Sequence, residues 1–274
     1  MMKLERKFIR SQLKNKNANS TKLDHGHAFL IAGNTGYMGA AVIATKAALR
    51  SGVGLLTVSV PLDEQLTLQV AVPQAMFITQ SDYQLDLDKF STIGIGPGLG
   101  ENVKSQELLQ QILRRYKSPM VLDADALNII SINQHLISSI PAESIITPHV
   151  AEFDRLFGKH ESHDDRVATA IIKANELHLV IVLKGHQTTI VSEDEVRINH
   201  TGNAGLAKGG SGDALTGIIT SLLAQGYLPW IAACIGVYLH GLASDITLKK
   251  QSIESMLITD VIDHLGKAFK KTRR

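Results

Sequence analysis

The sequence predicts an α/β fold in which a mainly parallel central sheet is covered by helices on both faces. Short apolar runs recur along the chain, and helical patterns of ten or more residues separate several of them. Short apolar strands that alternate with helices are typical of parallel sheets buried on both faces. The last third is almost entirely helical in pattern, so we expect the sheet to end near residue 199 with an antiparallel pair.

The elements follow one another in a regular order. The first predicted strand is AFLIAG at 28–33, followed by a small-residue helix over 38–51 and the strand VGLLTVSV, which Pro61 stops. Further strands are predicted in the runs AMFI, STIGIG, PMVLDAD, SIIT, LVIVLKG and TTIVS. The remaining helices are predicted at 102–115, 163–178, 213–225, 230–248 and 259–270. We expect one domain over residues 1–274, with a polar N-terminal segment at 1–23.

The composition is that of an ordinary soluble chain. The 274 residues are 44% hydrophobic and 20% charged with a formal net charge of +2, so nothing predicts a nucleic-acid surface. The sequence shows no signal peptide and no apolar run of the roughly 18 residues that a membrane span needs. Cys234 lies in an apolar run, and we expect it to be a small buried hydrophobe in a reducing, cytoplasmic compartment.

The stretch AKGGSGDALTG has the features of an anion-binding helix start. Apolar residues at helical spacing follow Asp213, which places the amides of Gly210, Ser211 and Gly212 at a helix N-terminus. Glycines let a ligand approach the backbone, and the N–H groups of a helix start attract anions. The competing interpretation is an ordinary cap formed by Ser211 or Asp213. We prefer an anion loop at Gly209, Gly210 and Ser211, because a cap requires no glycine-rich approach.

Other strand ends also carry polar groups, and ligands bind at the carboxyl ends of strands in such sheets. Lys184 lies at the end of the strand predicted in LVIVLKG and is either a solvated lysine or a ligand contact. In TPHVAEF, His149 and Glu152 form either a helix cap with a first-turn acid or part of a site. In LDADALN, Asp123 and Asp125 fit either a metal site or a helix cap. The glycine-dense segments match neither the Walker loop nor the dinucleotide fingerprint.

Taken together, GPGLG, LDADAL, TPHVAEF, VLKGHQT and NAGLAKGGSGDALTG resemble, in order and spacing, the ADP/ATP-dependent NAD(P)H-hydrate dehydratase family. The resemblance covers residues 24 to 270 approximately and implies the ribokinase-like fold, a three-layer sandwich. It implies a stand-alone dehydratase without the epimerase domain of many relatives, which should act only on the S epimer of hydrated NADH or NADPH. It also implies ADP as co-substrate, Mg²⁺ as cofactor and a homotetramer.

The resemblance also assigns roles to single residues. It implies that the hydrated dinucleotide contacts Ala40, Gly98, His149 and Asp213. It implies that the adenine nucleotide contacts Lys184, Gly185, His186, Gln187, Thr188 and Gly212. Asp213 is the expected catalytic base, no protein metal ligand is assigned, and replacement of Lys184 by Ala is expected to weaken ADP binding with little effect on folding.

A ribokinase-like kinase for a small molecule, such as a vitamin precursor, is the competing function, since it would use Asp213 and the same anion loop. We prefer dehydration because His149 and Glu152 stand where many kinases of this fold carry an N-x-x-E pattern. A non-catalytic nucleotide sensor is disfavoured, since a pure binder has no use for a carboxylate that faces phosphates.

Overall fold

Ten strands form one mixed sheet in residues 1–80 and 85–274, the part of the chain that the computed structural model describes. The strands are β1 (Met2–Lys3), β2 (His27–Ile31), β3 (Leu55–Val60), β4 (Met76–Thr79), β5 (Thr92–Ile95), β6 (Val121–Leu122), β7 (Ile145–Ile146), β8 (Val180–Leu183), β9 (Thr189–Val191) and β10 (Val196–Ile198). Their order is β1-β10-β9-β8-β7-β6-β5-β2-β3-β4. Only β9 runs antiparallel to its two neighbours among these strands.

Helices connect most of the strands. The α-helices are α1 (Arg6–Gln12), α2 (Met38–Arg50), α3 (Gln65–Ala71), α4 (Val103–Arg115), α5 (Asp125–Ile132), α6 (Val150–Phe157), α7 (His163–Leu177), α8 (Ser211–Ala224), α9 (Pro229–Leu248) and α10 (Ile258–Arg273). Short 3₁₀ turns lie at Leu23–His25, Leu62–Glu64, Gln134–Ser139 and Ala204–Leu206.

The sheet is the middle of three layers. On β2, Ala28 and Leu30 pack with α2 and α3, whereas Phe29 and Ile31 pack on the opposite face with α4 and α5. The first face also carries α1, α8, α9 and α10, and the second carries α6 and α7. Side chains that alternate along a strand point to opposite faces, so helices on both sides make both sets of positions apolar. The predicted arrangement of a mainly parallel sheet between helical layers is confirmed.

Two parts of the chain differ from the sequence-based expectation. The N-terminal segment forms β1, which pairs with β10 at the sheet edge, and α1, so it is not merely a polar extension. Its burial rests on a few residues such as Leu4 and Ile9, which are 2% and 0% exposed. The short helices α3 and α5 were also not expected, because seven or eight residues give too little periodicity to recognise.

Helix α9 meets the length and composition of a membrane span, contrary to the expectation that no run does. An 18-residue window of this 20-residue helix has a mean hydropathy of 1.5, but 78% of that window is buried inside the protein. Packing against α8 and α10 explains its apolar character, since a helix that is hydrophobic all round is typical of a core. Cys234 on this helix is free and buried, as expected.

Helices α2 and α8 cross at very short distance, and this contact places the start of α8 over the sheet edge. Gly217 makes the crossing possible, because a Cβ atom there would lie 2.1 Å from the Ala44 carbonyl oxygen. The opposing atoms belong to the backbone of α2 and cannot rotate away. The position of the site therefore depends on a glycine within the helix.

We expect Gly217→Ala to lower the free energy of unfolding by about 1–3 kcal/mol or more, since overpacking forces the helices apart. Gly266→Ala in α10 is the matched control: no atom lies within 4 Å of its added methyl group, and a glycine-to-alanine change in an open helix stabilises by about 0.5–1 kcal/mol. Urea unfolding of both variants measures the difference. Equal stability of the two variants would contradict the close crossing.

Candidate active site

A cavity of about 1030 Å³ lies at the carboxyl ends of β6, β7 and β8 and the start of α8. This is the edge at which open α/β sheets bind ligands. Of the residues predicted from sequence, it is lined by His149, Lys184, Gly185, His186, Thr188, Gly209, Ser211, Gly212 and Asp213. The structure thus brings most of the predicted groups to one place.

The glycine-rich segment forms the N-terminal end of α8. Gly210 is the N-cap with a φ of +93°, a conformation that favours glycine, and a Cβ atom there would also lie 2.5 Å from Ile43 Cδ1. The Ser211 amide donates to the Lys208 carbonyl oxygen at 3.3 Å, so it is engaged within the turn. Donors for an anion must come from the rest of the first helical turn, whose N–H groups have no intrahelical acceptor. Gly212 provides the first of these.

Asp213 lies in the first turn of α8 and is partly buried in the cavity wall. Burial, together with the negative charge of Asp123, raises the pKa of its carboxyl group to about 6, and the ammonium of Lys184 partly opposes this rise. A carboxylate with a pKa near 6 is mostly ionised at neutral pH and is more basic than an ordinary aspartate. Asp213 is therefore not a solvated aspartate, and its side chain forms no capping hydrogen bond at the start of α8.

Lys184 is paired within a cluster of carboxylates rather than solvated, and only 18% of its side chain is exposed. Its ammonium is 2.7 Å from Asp123 Oδ1 and 3.7 Å from Glu152 Oε2. Burial pulls the pKa of Lys184 down, but Asp123 and Glu152 outweigh this effect, so the pKa lies above its ordinary value. The interpretation of Lys184 as a solvated lysine is therefore wrong. Its Nζ would be 3.3 Å from a Cβ added at Gly212, so the cation adjoins the start of α8.

Asp123 and Asp125 point to different partners and form neither a metal pair nor a helix cap. Asp123 accepts hydrogen bonds from Lys184 and, at 2.7 Å, from the hydroxyl of Thr216 on α8. Asp125 accepts the Gly100 amide at 2.7 Å. Between them, Ala124 has a φ of +48°, a strained value for an alanine, which turns the chain so that the two carboxylates diverge.

His149 caps helix α6 and borders the cavity at the same time. Its Nδ1 accepts the amides of Ala151 and Glu152 at 3.1 and 3.2 Å, while Glu152 Oε2 accepts the His149 amide at 2.7 Å. These bonds form a capping box, so the expected helix cap is present. Because Nδ1 is an acceptor, the neutral ring carries its proton on Nε2, which lies 3.3 Å from Glu152 Oε1. Half of the side chain remains exposed.

Ala40 and Gly98 lie together but outside the residues that line this cavity. A Cβ atom at Gly98 would be 2.9 Å from Ala40 Cβ, and Gly98 has a φ of +61°. Ala40 is one turn before Ile43, the α2 residue that packs against Gly210. The segment of α2 that carries Ala40 therefore borders the anion loop at Gly210.

The turn between β8 and β9 carries the predicted nucleotide contacts. Lys184, Gly185, His186 and Thr188 line the cavity. Gln187 is turned away from the cavity lining, and its side-chain amide lies 3.2 Å from His200 Nδ1. A contact between the adenine nucleotide and the Gln187 side chain would require this side chain to rotate.

Within the described residues, no group of three or more His, Cys, Asp and Glu side chains could hold a metal ion. Sequence reasoning missed two residues of the site, Thr216, which orients Asp123, and His240, which lines the cavity from α9. Both lie on apolar helices, where their spacing gives no signal.

The fold and the site together define an enzyme of the ribokinase-like class. A ribokinase-like superfamily protein from Enterococcus faecalis has the same fold, with a TM-score of 0.89 and 30% identity over 100% of this chain and 97% of that one. The chain belongs to the NAD(P)H-hydrate dehydratase family, whose model matches residues 28–267. The predicted family and fold are thereby confirmed.

Two relatives and one further structure locate the chain within this family. It is 33% identical to the ADP-dependent (S)-NAD(P)H-hydrate dehydratase of Bacillus subtilis, over 96% of both chains. A Bacillus subtilis ADP/ATP-dependent NAD(P)H-hydrate dehydratase co-crystallised with ATP and Mg²⁺ has a TM-score of 0.89 at 31% identity, covering 99% of this chain and 98% of that one. The bifunctional NAD(P)H-hydrate repair enzyme Nnr of Moorella thermoacetica is 35% identical over 94% of this chain, which spans 52% of that relative's length.

Lys184→Ala should lower the stability of the fold, in contrast to the small effect on folding expected from the sequence. Removal of one partner from a buried ion pair typically costs about 3–5 kcal/mol, because Asp123 and Glu152 would lose their counter-ion. The exposed pair of Lys173 and Glu176 supplies the control: Lys173→Ala should cost less than about 1 kcal/mol. Thermal and urea unfolding without ligand measure both. An unchanged unfolding midpoint for Lys184→Ala would show that the cation is not structural.

Asp213→Asn should raise the stability of the ligand-free protein at neutral pH. The pKa of Asp213 is raised by folding from 3.8 to about 6, so the folded state binds its proton more tightly than the unfolded chain does. The wild type therefore keeps its full stability below pH 4 or so and loses it as the pH rises through about 6, by on the order of 2–3 kcal/mol. The gain from Asn should be seen at pH 8 and vanish at pH 4. A variant that is equally destabilised at both values would contradict the burial of an ionised Asp213.

Proposed function

We propose that this protein dehydrates the S epimer of hydrated NADH or NADPH, with ADP as co-substrate, and releases NADH or NADPH, AMP and phosphate. The observation that carries the proposal is Asp213, a carboxylate with a raised pKa at the glycine-rich start of α8, beside the buried cation Lys184. A base next to an anion-binding helix start suits the transfer of a phosphoryl group to a hydroxyl. The named activities of the Bacillus subtilis relatives support this choice over other reactions of the fold.

The reaction converts a poor leaving group into a good one. Asp213 removes the proton of the hydroxyl group at C6 of the hydrated ring, and the oxygen attacks the terminal phosphorus of ADP. The bond from that phosphorus to the bridging oxygen breaks, and AMP leaves. The phosphate ester at C6 is then expelled as inorganic phosphate and C5 afterwards loses a proton, which restores the dihydropyridine double bond.

Two features of the chain would stabilise the charge that develops during transfer. The amides at the start of α8 offer donors to the phosphoryl oxygens, and Lys184 adds a fixed positive charge beside Gly212. Both are in place before the reaction, so they need no rearrangement when charge moves to the transferred group. The cavity volume of about 1030 Å³ accommodates a nucleotide next to part of a dinucleotide.

Mg²⁺ is the expected cofactor, and the cavity offers two carboxylates that could bind it together with substrate phosphates. Mg²⁺ is commonly held by one or two carboxylates together with substrate phosphates and water, rather than by a protein cage. Asp213 and Glu152 offer carboxylates at the phosphate side of the cavity. When bound, the ion would neutralise phosphate oxygens during transfer.

The residue assignments are part of the proposal. The hydrated dinucleotide would lie along Ala40, Gly98, His149 and Asp213, and the adenine nucleotide along the turn 184–188 and Gly212. Ala40 and Gly98 lie together, and Ile43, one turn after Ala40, packs against Gly210, whereas His149 pairs with Lys184 in a β-bridge. His149 would therefore lie where the two ligands meet. We further propose a cytoplasmic homotetramer, in keeping with a free, buried Cys234.

Asp213→Asn should retain ADP binding and lose at least about 100-fold of turnover, since loss of a general base typically costs about 10²- to 10⁴-fold. The assay follows the absorbance of the reduced ring recovered from the hydrated S epimer, with AMP and phosphate measured as co-products. Full activity of the variant would leave Asp213 as a structural residue only. A stable phosphorylated product from the wild type, with no NADH recovered, would favour the kinase over the dehydratase.

A further inference from the structure

His240 on α9 is a buried side chain with an unmet hydrogen-bonding group. The residue is 6% exposed, and it lines the same cavity as Asp213 and Lys184. Its Nε2 atom is buried and has no hydrogen-bond partner among the residues that the structure describes. Buried polar side chains in folded proteins are almost always hydrogen-bonded, and each exception calls for an explanation.

The imidazole of His240 is neutral at physiological pH. Burial lowers its pKa to about 4, and the nearby charge of Lys184 acts in the same direction. A neutral imidazole has one N–H donor and one nitrogen acceptor. It can therefore bond to a group that is itself both donor and acceptor, such as a sugar hydroxyl or the edge of a base.

The wall that contains His240 is built rigidly. Thr201 donates its hydroxyl to the Tyr238 carbonyl oxygen at 2.9 Å, and the Gly202 amide donates to Asp245 Oδ2 at 3.0 Å. Gly241, next to His240, lies so close to this loop that a Cβ atom would be 2.4 Å from Thr201 Oγ1. A side chain held on such a wall is pre-organised for a ligand and loses little freedom on binding.

Apolar side chains share the cavity lining with His240. Leu206, Leu215 and Val237 line the same cavity, and Val237 is one turn before His240 on α9, whereas the cation Lys184 adjoins the start of α8. An apolar wall with one neutral donor and acceptor matches a nucleoside, while phosphates are drawn to the cation and the amides.

We propose that His240 binds the nucleoside half of the adenine nucleotide, its base or ribose, through a hydrogen bond to the neutral imidazole. The inference rests on the proposed use of ADP. It assigns His240 to affinity for the nucleoside, not to the transfer of the phosphoryl group.

Calorimetric titration of the ligand-free protein with ADP and with pyrophosphate tests the assignment. His240→Leu should weaken ADP binding about 5- to 10-fold, the loss of one hydrogen bond, and leave pyrophosphate binding unchanged. Its melting temperature without ligand should stay equal or rise, because an unpaired buried group is removed. Tyr238→Phe is the control on the same helix, since Tyr238 does not line the cavity, and it should bind ADP as the wild type does.

His240→Gln provides a second measurement that does not depend on the folding of the leucine variant. It keeps a donor and an acceptor and should recover part of the ADP affinity, whereas Leu should not. Equal ADP affinity in the wild type and both variants would overturn the inference and leave the proposed function standing. Equal weakening of ADP and pyrophosphate would overturn the assignment to the nucleoside. Failure of the wild type to bind ADP would overturn the proposed co-substrate and this inference with it.

Discussion

A single buried ammonium group organises the site. Lys184 lies at 2.7 Å from Asp123 and 3.7 Å from Glu152, and it also counters the charge of Asp213. Burial is the main reason that the pKa values of Asp213 and Glu152 are raised, and the negative charge of Asp123 adds to it, since one cation among three carboxylates leaves a surplus of negative charge. The same surplus would repel a nucleotide, so under the proposed function backbone amides and a divalent cation would have to hold the phosphates together with Lys184. The arrangement makes Asp213 more basic than an ordinary aspartate and at the same time lowers the intrinsic affinity of the site for anions.

Packing of α8 in the core offsets the energetic cost of burying the Asp213 carboxylate. Every residue of α8 from Ala214 to Ala224 is buried, although its first turn carries the partly exposed Asp213. The crossing of α2 over Gly217 fixes that helix against the sheet, and Thr216 ties it to Asp123. A carboxylate that destabilises the fold is tolerated because the helix that bears it is held by packing along its whole length. Stability and catalysis are therefore coupled through α8.

The sequence predicts those parts of the molecule that depend on local chemistry. Glycines before Asp213, and polar groups at the ends of apolar strands, are visible without the fold, and they locate the site. The pairing of Lys184 with Asp123 is not, because the two residues are 61 positions apart and either could have been solvated. His240 lies in a continuous apolar helix, where a histidine gives no periodic signal. Likewise β1 has two residues and forms only because β10 offers a free edge.

A kinase of this fold and the proposed dehydratase would need the same groups for phosphoryl transfer. Phosphoryl transfer needs a base, donors and a cation, and these are the same for both outcomes. In the proposed reaction, the electrons of the ring nitrogen drive phosphate out of the C6-phosphorylated intermediate before C5 loses its proton, so the phosphate leaves without an additional acid from the protein. Selectivity must then come from residues on the substrate side. His149 is suited to this task, because its backbone bonds fix the imidazole as an Nε2–H donor at the cavity mouth with half of its surface free. An asparagine cap would present a shorter, differently directed amide at this position. Under the proposed function, the exchange of one cap for the other would change which substrate is held and leave the groups for phosphoryl transfer unchanged.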